Sequence, residues 1–151
     1  MNKFAPMDSA FRERVQYSFD RQKCMATLGI VISKIEPGLI ELVMPYAEPY
    51  TQQHGFIHAG IISTALDSAC GYAAFSLMPV EAAVLTVEYK VNLLAPAKGD
   101  EFIFQAEVVK PGRTLTRCDA RAYGITDGNK ELIATMTGTL MALFNRPGIE
   151  Q

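Results

Sequence analysis

The chain has no excess of positive charge, no paired cysteines and no apolar run long enough to cross a bilayer, and each absence removes a class of function. With 14 Lys and Arg against 16 Asp and Glu, the formal charge is -2, which gives a nucleic-acid backbone nothing to attract it. A small anionic ligand is a different case, because roughly two or three well-placed Lys or Arg side chains hold a few phosphates. The three cysteines, Cys24, Cys70 and Cys118, are odd in number, far apart and without a CxxC spacing, so neither a disulfide framework nor a zinc site is predicted. Residues 1–14 alternate charged with apolar side chains and lack the apolar core of a secretory signal. No stretch of ~18 apolar residues runs uninterrupted. The expectation is a reduced, cytoplasmic setting with no membrane partner. Internal repeats, low-complexity tracts and linkers are also absent. Residues 1–151 are therefore expected to form one domain, within the usual ~100–200 residues, with 1–28 as a helical cover.

What is present is organised around residues 52–67, which read as a turn entering a long helix. Between residues 58 and 78 there is no proline, and Ala65, Leu66, Ala69, Cys70, Ala73, Ala74 and Leu77 recur three and four apart. A helix apolar on nearly every side is expected to be wrapped by the rest of the domain. A lone carboxylate in it must be desolvated, paired or used. That carboxylate is Asp67, with Ser63, Thr64, Cys70 and Gly71 as its neighbours three and four residues away. A structural carboxylate held by a serine or threonine and a general base or nucleophile both fit this position.

Around this centre the chain alternates simply. After Pro6, Asp8 or Ser9 is placed to cap an amphipathic helix that carries Phe11, Val15 and Phe19 and runs towards Gly29. Strands are predicted over 30–35 and 39–44, with the turn Glu36-Pro37-Gly38 between them. Beyond Pro79, residues 83–94 place Thr86, Glu88, Lys90 and Asn92 at even positions, the alternation of a half-buried strand. Strands over 101–110, 114–126 and 132–144 follow, separated by Pro111-Gly112 and Asp127-Gly128-Asn129. The order α-β-β-α-β-β-β-β implies an α+β fold in which a mainly antiparallel sheet curls around one helix.

Two features of the central turn bear on chemistry. His54 and His58, the only histidines, have the spacing of a helical zinc pair, but Gly55 follows His54, the pair straddles the turn and no third ligand is near, so no metal is predicted. Ala59 and Gly60 are small and open a helix whose first amides have no internal partner. With the helix dipole behind them, they are able to receive an oxygen that is becoming negative. A tight helix entry with no ligand is the plainer account of the same two residues.

Taken together, Gln52, Gly55, His58-Ala59-Gly60 and Asp67, followed by Thr86-Val87-Glu88-Tyr89, Val91 and Leu93-Leu94-Ala95-Pro96, resemble the hotdog-fold acyl-CoA thioesterases of the phenylacetic-acid-degradation (PaaI) type. The similarity spans about residues 28–144. In that family an Asn or Gln precedes a His-Gly-Gly by six residues, an acidic residue lies nine residues after the His, and a Ser or Thr begins the following strand. This chain departs at Ala59, where the family most often has Gly. Alanine adopts helical dihedrals, so its amide still donates, and the added methyl bears on how closely a bulky acyl group approaches. Gln52 replaces the commoner Asn and keeps the amide.

The resemblance implies a hotdog fold and hydrolysis of an acyl-CoA thioester. The Ala59 amide would hold the thioester oxygen, His58 and Gln52 would shape the turn and orient the carbonyl, and Asp67 would attack or activate a water that Thr86 helps to place. Gly55 and Gly60 would belong to the substrate-binding turn, and Lys90, Lys110, Arg113 and Arg117 are the candidates for the CoA phosphates. No cofactor is implied, CoA being part of the substrate. A homo-oligomer, dimer or dimer of dimers, is implied, and helix geometry agrees: Ala59 and Asp67 are eight residues apart, about 12 Å along one axis, too far to serve one carbonyl. A hotdog dehydratase or isomerase acting on acyl thioesters, and a non-catalytic acyl-CoA-binding protein, remain as alternatives. The acidic chain offers the latter no effector or DNA-binding segment.

Overall fold

The computed structural model describes residues 3–151, so Met1 and Asn2 of the expected cover lie outside the described residues. Helix α1 (Phe11–Asp20) buries Phe11, Val15, Ser18 and Phe19, and Asp8 Oδ1 accepts the Ala10 amide at its entry. The expected single helix is two. The apolar stripe of α1 would continue onto Gln22 and Lys23, both polar, and the chain breaks there. Gln22 is extended, and α2 (Lys23–Leu28) starts afresh to bury Met25 and Leu28. Gly29 ends α2 in the left-handed region (φ 69°), with its amide on Ala26 O and the Ile30 amide on Met25 O, which satisfies the last carbonyls.

Strands β1 (Val31–Glu36) and β2 (Leu39–Pro45) form the predicted hairpin. A short helical turn (Glu48–Tyr50) then leads to α3 (Ala59–Phe75), β3 (Ala83–Leu93), β4 (Glu101–Lys110), β5 (Leu115–Thr126) and β6 (Asn129–Leu143). The six strands form one antiparallel sheet in the order β1-β2-β4-β5-β6-β3. Between β5 and β6, Asp127 (φ 49°) and Gly128 (φ 77°) both take positive φ, as a tight two-residue hairpin turn requires. The sheet's concave face carries Ile40, Leu42, Phe102, Phe104, Met136 and Leu140, all buried against α3. Each such side chain contributes about 1.5–3 kcal/mol of transfer free energy. Among the described residues no helix is long and apolar enough to cross a membrane.

In two places the single chain departs from expectation. Helix α3 is not wrapped on every side: Gly60, Thr64, Asp67, Ser68 and Gly71 form a half-open stripe of small and polar residues. Strand β3, expected to be half-buried, is the last strand of the sheet, and Leu85, Val87, Tyr89 and Leu93 are 44–57% exposed. Its pairing with β6 also shifts between Thr86 and Glu88: Thr86 lies opposite Leu140 and Glu88 opposite Thr139. Leu140 is a core residue and Thr139 its opposite-facing neighbour, so this bulge turns Thr86 towards α3 and leaves Glu88, Lys90 and Asn92 on the outer face.

The end of α3 is fixed by Arg14 of α1. Its guanidinium donates to Pro79 O (2.9 Å), Met78 O (2.6 Å) and Phe75 O (3.4 Å) and lies 4.3 Å from the centre of the Phe75 ring. Its Nε is 2.9 Å from Asp8 Oδ2, a charge pair without hydrogen-bond alignment. These carbonyls lie at and just beyond the last residue of α3, and a planar fork reaches all three at once. Arg14→Ala is expected to destabilise the fold by about 2–4 kcal/mol, and Arg14→Lys to recover less than half of that. Urea unfolding of the three proteins checks this; an unchanged midpoint in Arg14→Ala would refute the role.

Candidate active site

The turn before α3 is built on main-chain pairing. The Gln52 amide donates to Phe56 O (2.8 Å), the Gly55 amide to Gln52 O (3.0 Å), and Gly55 takes φ 82°, where a side chain would be strained. The Gln52 side-chain oxygen accepts the His54 amide, which leaves its NH2 group free to donate outward. Outside contacts hold the turn in place: the His58 amide bonds Tyr50 O (2.9 Å), the Ile57 amide bonds Ala97 O (3.0 Å) and the Tyr46 hydroxyl bonds Gly55 O (3.3 Å). The Tyr50 hydroxyl in turn bonds Thr27 O in α2.

His58 caps α3. Its Nδ1 accepts the Gly60 amide (2.8 Å), which puts the imidazole proton on Nε2, and its carbonyl accepts the amides of Ile61 (2.9 Å) and Ile62 (3.2 Å). A Cβ on Gly60 would stand 3.1 Å from His58 Nδ1, close enough to press the ring back by a few tenths of an ångström. Among the described residues, that leaves Ala59 as the first-turn amide of α3 without a partner. His54 remains exposed in the turn.

Ala59 lines a cavity of about 590 Å3 whose walls are Phe56, Ile57, Ile62, Leu93, Leu94, Ala95, Pro96, Ala97, Ile133 and Ala134, with Gln52 and His58 as its polar side chains. The 94–97 wall, the Tyr46 and Tyr50 hydroxyls and the Ala97 carbonyl were not picked out as site elements from sequence. The signal available was the apolar run Leu93-Leu94-Ala95-Pro96-Ala97, which continues past the end of a strand into a loop.

Asp67 stands further along α3. Thr86 donates its hydroxyl to Asp67 Oδ1 at 2.7 Å, across the bulge-turned face of β3. The nearby hydroxyls on α3 are engaged elsewhere: Ser63 with Ala59 O (2.9 Å), Thr64 with Gly60 O (2.8 Å) and Ser68 with the Gln22 side chain (3.0 Å). No Lys or Arg pairs with the carboxylate among the described residues. Burial therefore raises the Asp67 pKa above the ordinary aspartate value, and the Thr86 hydrogen bond pulls it part of the way back. Cys70 and Cys118 are buried, and burial pushes both thiols up, Cys118 to about 12.

The chain thus joins Gln52, Gly55, His58, Ala59 and Gly60 in one place and Asp67 with Thr86 in another, about 12 Å apart along α3. The four basic candidates lie elsewhere. Arg117 bonds Glu88 (3.2 Å) and Thr139 (2.8 Å) on the outer face, and Lys90 bonds Asn92 (2.9 Å) on that same face. Lys110 ends β4, and Arg113, in the following turn, lines a second cavity of about 510 Å3 at the C-terminal end of α3. None of the four lines the cavity beside Ala59 within one chain.

Sequence and fold both have known relatives. The sequence model of the thioesterase superfamily matches residues 54–129. A crystal structure of a thioesterase family protein from Silicibacter pomeroyi is 64% identical, covers 89% of this chain and 99% of its own, and has a TM-score of 0.89. A protein of Saccharolobus solfataricus, named provisionally as an esterase, is 36% identical over 112 residues, 74% of this chain and 72% of its own. Human acyl-coenzyme A thioesterase 13 is 26% identical over 113 residues, 72% of this chain and 79% of its own.

The raised Asp67 pKa has a consequence for stability. A group whose folded-state pKa lies above its unfolded value favours folding fully below the unfolded pKa, and that contribution is lost as pH rises through the folded pKa. Asp67→Asn removes the titration. The variant should therefore melt above the native protein at neutral pH, and the gap should close as pH falls into the ordinary aspartate range. Thermal melts across that range check the sign; a native protein that gains on Asp67→Asn as pH rises would contradict it.

Proposed function

The chain belongs to the thioesterase superfamily, and from that premise we propose that this hotdog-fold hydrolase cleaves acyl-CoA thioesters at a site shared by two chains. The observation that supports the reading is that one helix carries both a free N-terminal amide beside an apolar cavity and, about 12 Å further along, a half-buried carboxylate with no cation paired to it among the described residues. In the proposed reaction the thioester oxygen accepts from the Ala59 amide at the positive end of α3, with the free NH2 of Gln52 as a second donor. His58 acts by holding the turn. Asp67 takes a proton from water as the new C–O bond forms, with Thr86 fixing one carboxylate oxygen, and the raised pKa suits a base working near neutrality. The C–S bond breaks and CoA leaves as a thiolate, which needs little protonation because thiols titrate near ~8.5. No metal or redox step is required.

A second copy supplies the missing half. Two α3 helices laid antiparallel about a two-fold axis bring the start of one against the middle of the other. The half-open stripe of Gly60, Thr64, Asp67 and Gly71 lets their backbones approach. The free edge of β3, with its exposed Val87 and Tyr89, lies beside that stripe and would be covered in the same contact. Lys90 is on that edge strand. With Lys110, Arg113 and Arg117 it remains a candidate for the CoA phosphates, from whichever chain presents it. The human relative's name supports the CoA carrier.

Two measurements test this. Purified protein should release CoA thiol from acyl-CoA, and Asp67→Asn should lower kcat by about 10²-fold or more while acyl-CoA binding stays within a few-fold. Full activity in Asp67→Asn would remove it from the reaction. Separately, Asp67→Asn and Gln52→Ala, each nearly inactive, should regain activity when co-refolded. Random mixing makes about half the dimers mixed, each with one intact site, so recovery should approach about a quarter of the native rate. No recovery from dimers shown to be mixed, or a fully active monomer, would overturn the shared site.

A further inference from the structure

Ala59, where this chain departs from the family it resembles, is also the residue whose amide is free, and it borders the apolar cavity. Resting on the acyl-CoA reading above, we infer that this cavity takes the acyl group and that the Ala59 methyl selects hydrocarbon acyl chains unbranched at the carbon next to the carbonyl.

The polarity of the lining decides which half of the substrate enters. Apart from Gln52 and His58, the cavity is walled by aliphatic and aromatic side chains, and no charged side chain lines it. The pantetheine arm carries two amides, which would be left unpaired against such walls. A hydrocarbon chain loses nothing there and gains by leaving water. The volume, about 590 Å3, lies within the range of small-molecule sites.

The position of the methyl decides the shape of the chain. Cα–Cβ bonds on a helix lean towards its N-terminus, so at the first helical residue the methyl stands beside its own N–H. An oxygen about 2.9 Å from that nitrogen brings the first acyl carbon within van der Waals reach of the methyl. Hydrogens on that carbon fit, whereas a branch competes for the same space. The methyl has little room to retreat: the Ala59 carbonyl is bonded by Ser63 (2.9 Å), the next amide is pinned by His58 (2.8 Å), and Ile62 is buried behind. Glycine at this position would leave the space open.

The test compares kcat/KM for butyryl-CoA and isobutyryl-CoA, isomers that carry their fourth carbon at the chain end or on the carbon next to the carbonyl, and for decanoyl-CoA against butyryl-CoA. The native protein should prefer butyryl over isobutyryl by about tenfold or more, in line with the discrimination a pocket achieves on a single methyl-sized group. Ala59→Gly, shown folded by circular dichroism, should bring that ratio within about threefold, and Ala59→Ser, which keeps a side chain there, should preserve it. Ala95→Leu, on the cavity wall, should lower the decanoyl-to-butyryl ratio by about tenfold, since each buried methylene is worth about fourfold. Thiol release with an unaltered branch ratio in Ala59→Gly, or an equal effect of Ala95→Leu on both chain lengths, would overturn this inference alone. No thiol release from any acyl-CoA by the folded dimer would remove the hydrolase reading and this inference with it.

Discussion

A carboxylate half-buried in an alanine-rich helix is held by one hydroxyl, and that hydroxyl faces it because the register of β3 slips by a residue at Val87. Without the bulge, Thr86 would share the outer face with Glu88 and Lys90, and Asp67 would have no donor from the sheet. The bond is short enough to favour the ionised form, yet it does not outweigh the loss of solvent, so the carboxylate stays easier to protonate than usual. Among the described residues no cation pairs with it. The fold thus tolerates a group that weakens it at neutral pH.

The start of α3 shows a complementary economy. Four amides open any α-helix without internal partners. Here the His58 ring accepts the Gly60 amide, its carbonyl accepts that of Ile61, its own amide bonds Tyr50 O, and the Ala59 amide is left beside an apolar cavity. An N-cap by serine or aspartate would do the same for the amides but not present a ring with an outward N–H. Gly60 leaves room for the ring, and the turn behind it is clamped to Tyr50, Ala97 and Tyr46. A donor fixed before the substrate arrives costs no reorganisation when charge develops on the oxygen.

Much of this was legible in the sequence because the signals are local. The strands were readable from the residues that end them, Pro37-Gly38 and Asp127-Gly128, and α3 from its spacing of small apolar residues. The turn residues Gln52, Gly55, His58 and Gly60 were picked out by resemblance to the family's pattern, and all four lie in the turn that enters α3, with Gln52 and His58 reaching the cavity. What was not legible depends on partners. The alternation through Thr86, Glu88, Lys90 and Asn92 put all four on one face, and only the pairing with β6 reveals that Thr86 is turned the other way. The surroundings of Arg117 and Lys90 were hidden for the same reason, since their neighbours Glu88, Thr139 and Asn92 are set by register and strand face. The break between α1 and α2 was within reach: Gln22 and Lys23 are where the apolar stripe fails.

The bare edge of β3 also bears on how the protein behaves outside its reaction. An isolated chain keeps a row of unpaired main-chain groups and several apolar side chains in water, so its folded state gains whatever free energy a second copy supplies by covering them. That gain follows mass action. On the shared-site reading proposed above, the melting temperature would rise with protein concentration, and dilution would weaken the fold and the active site together.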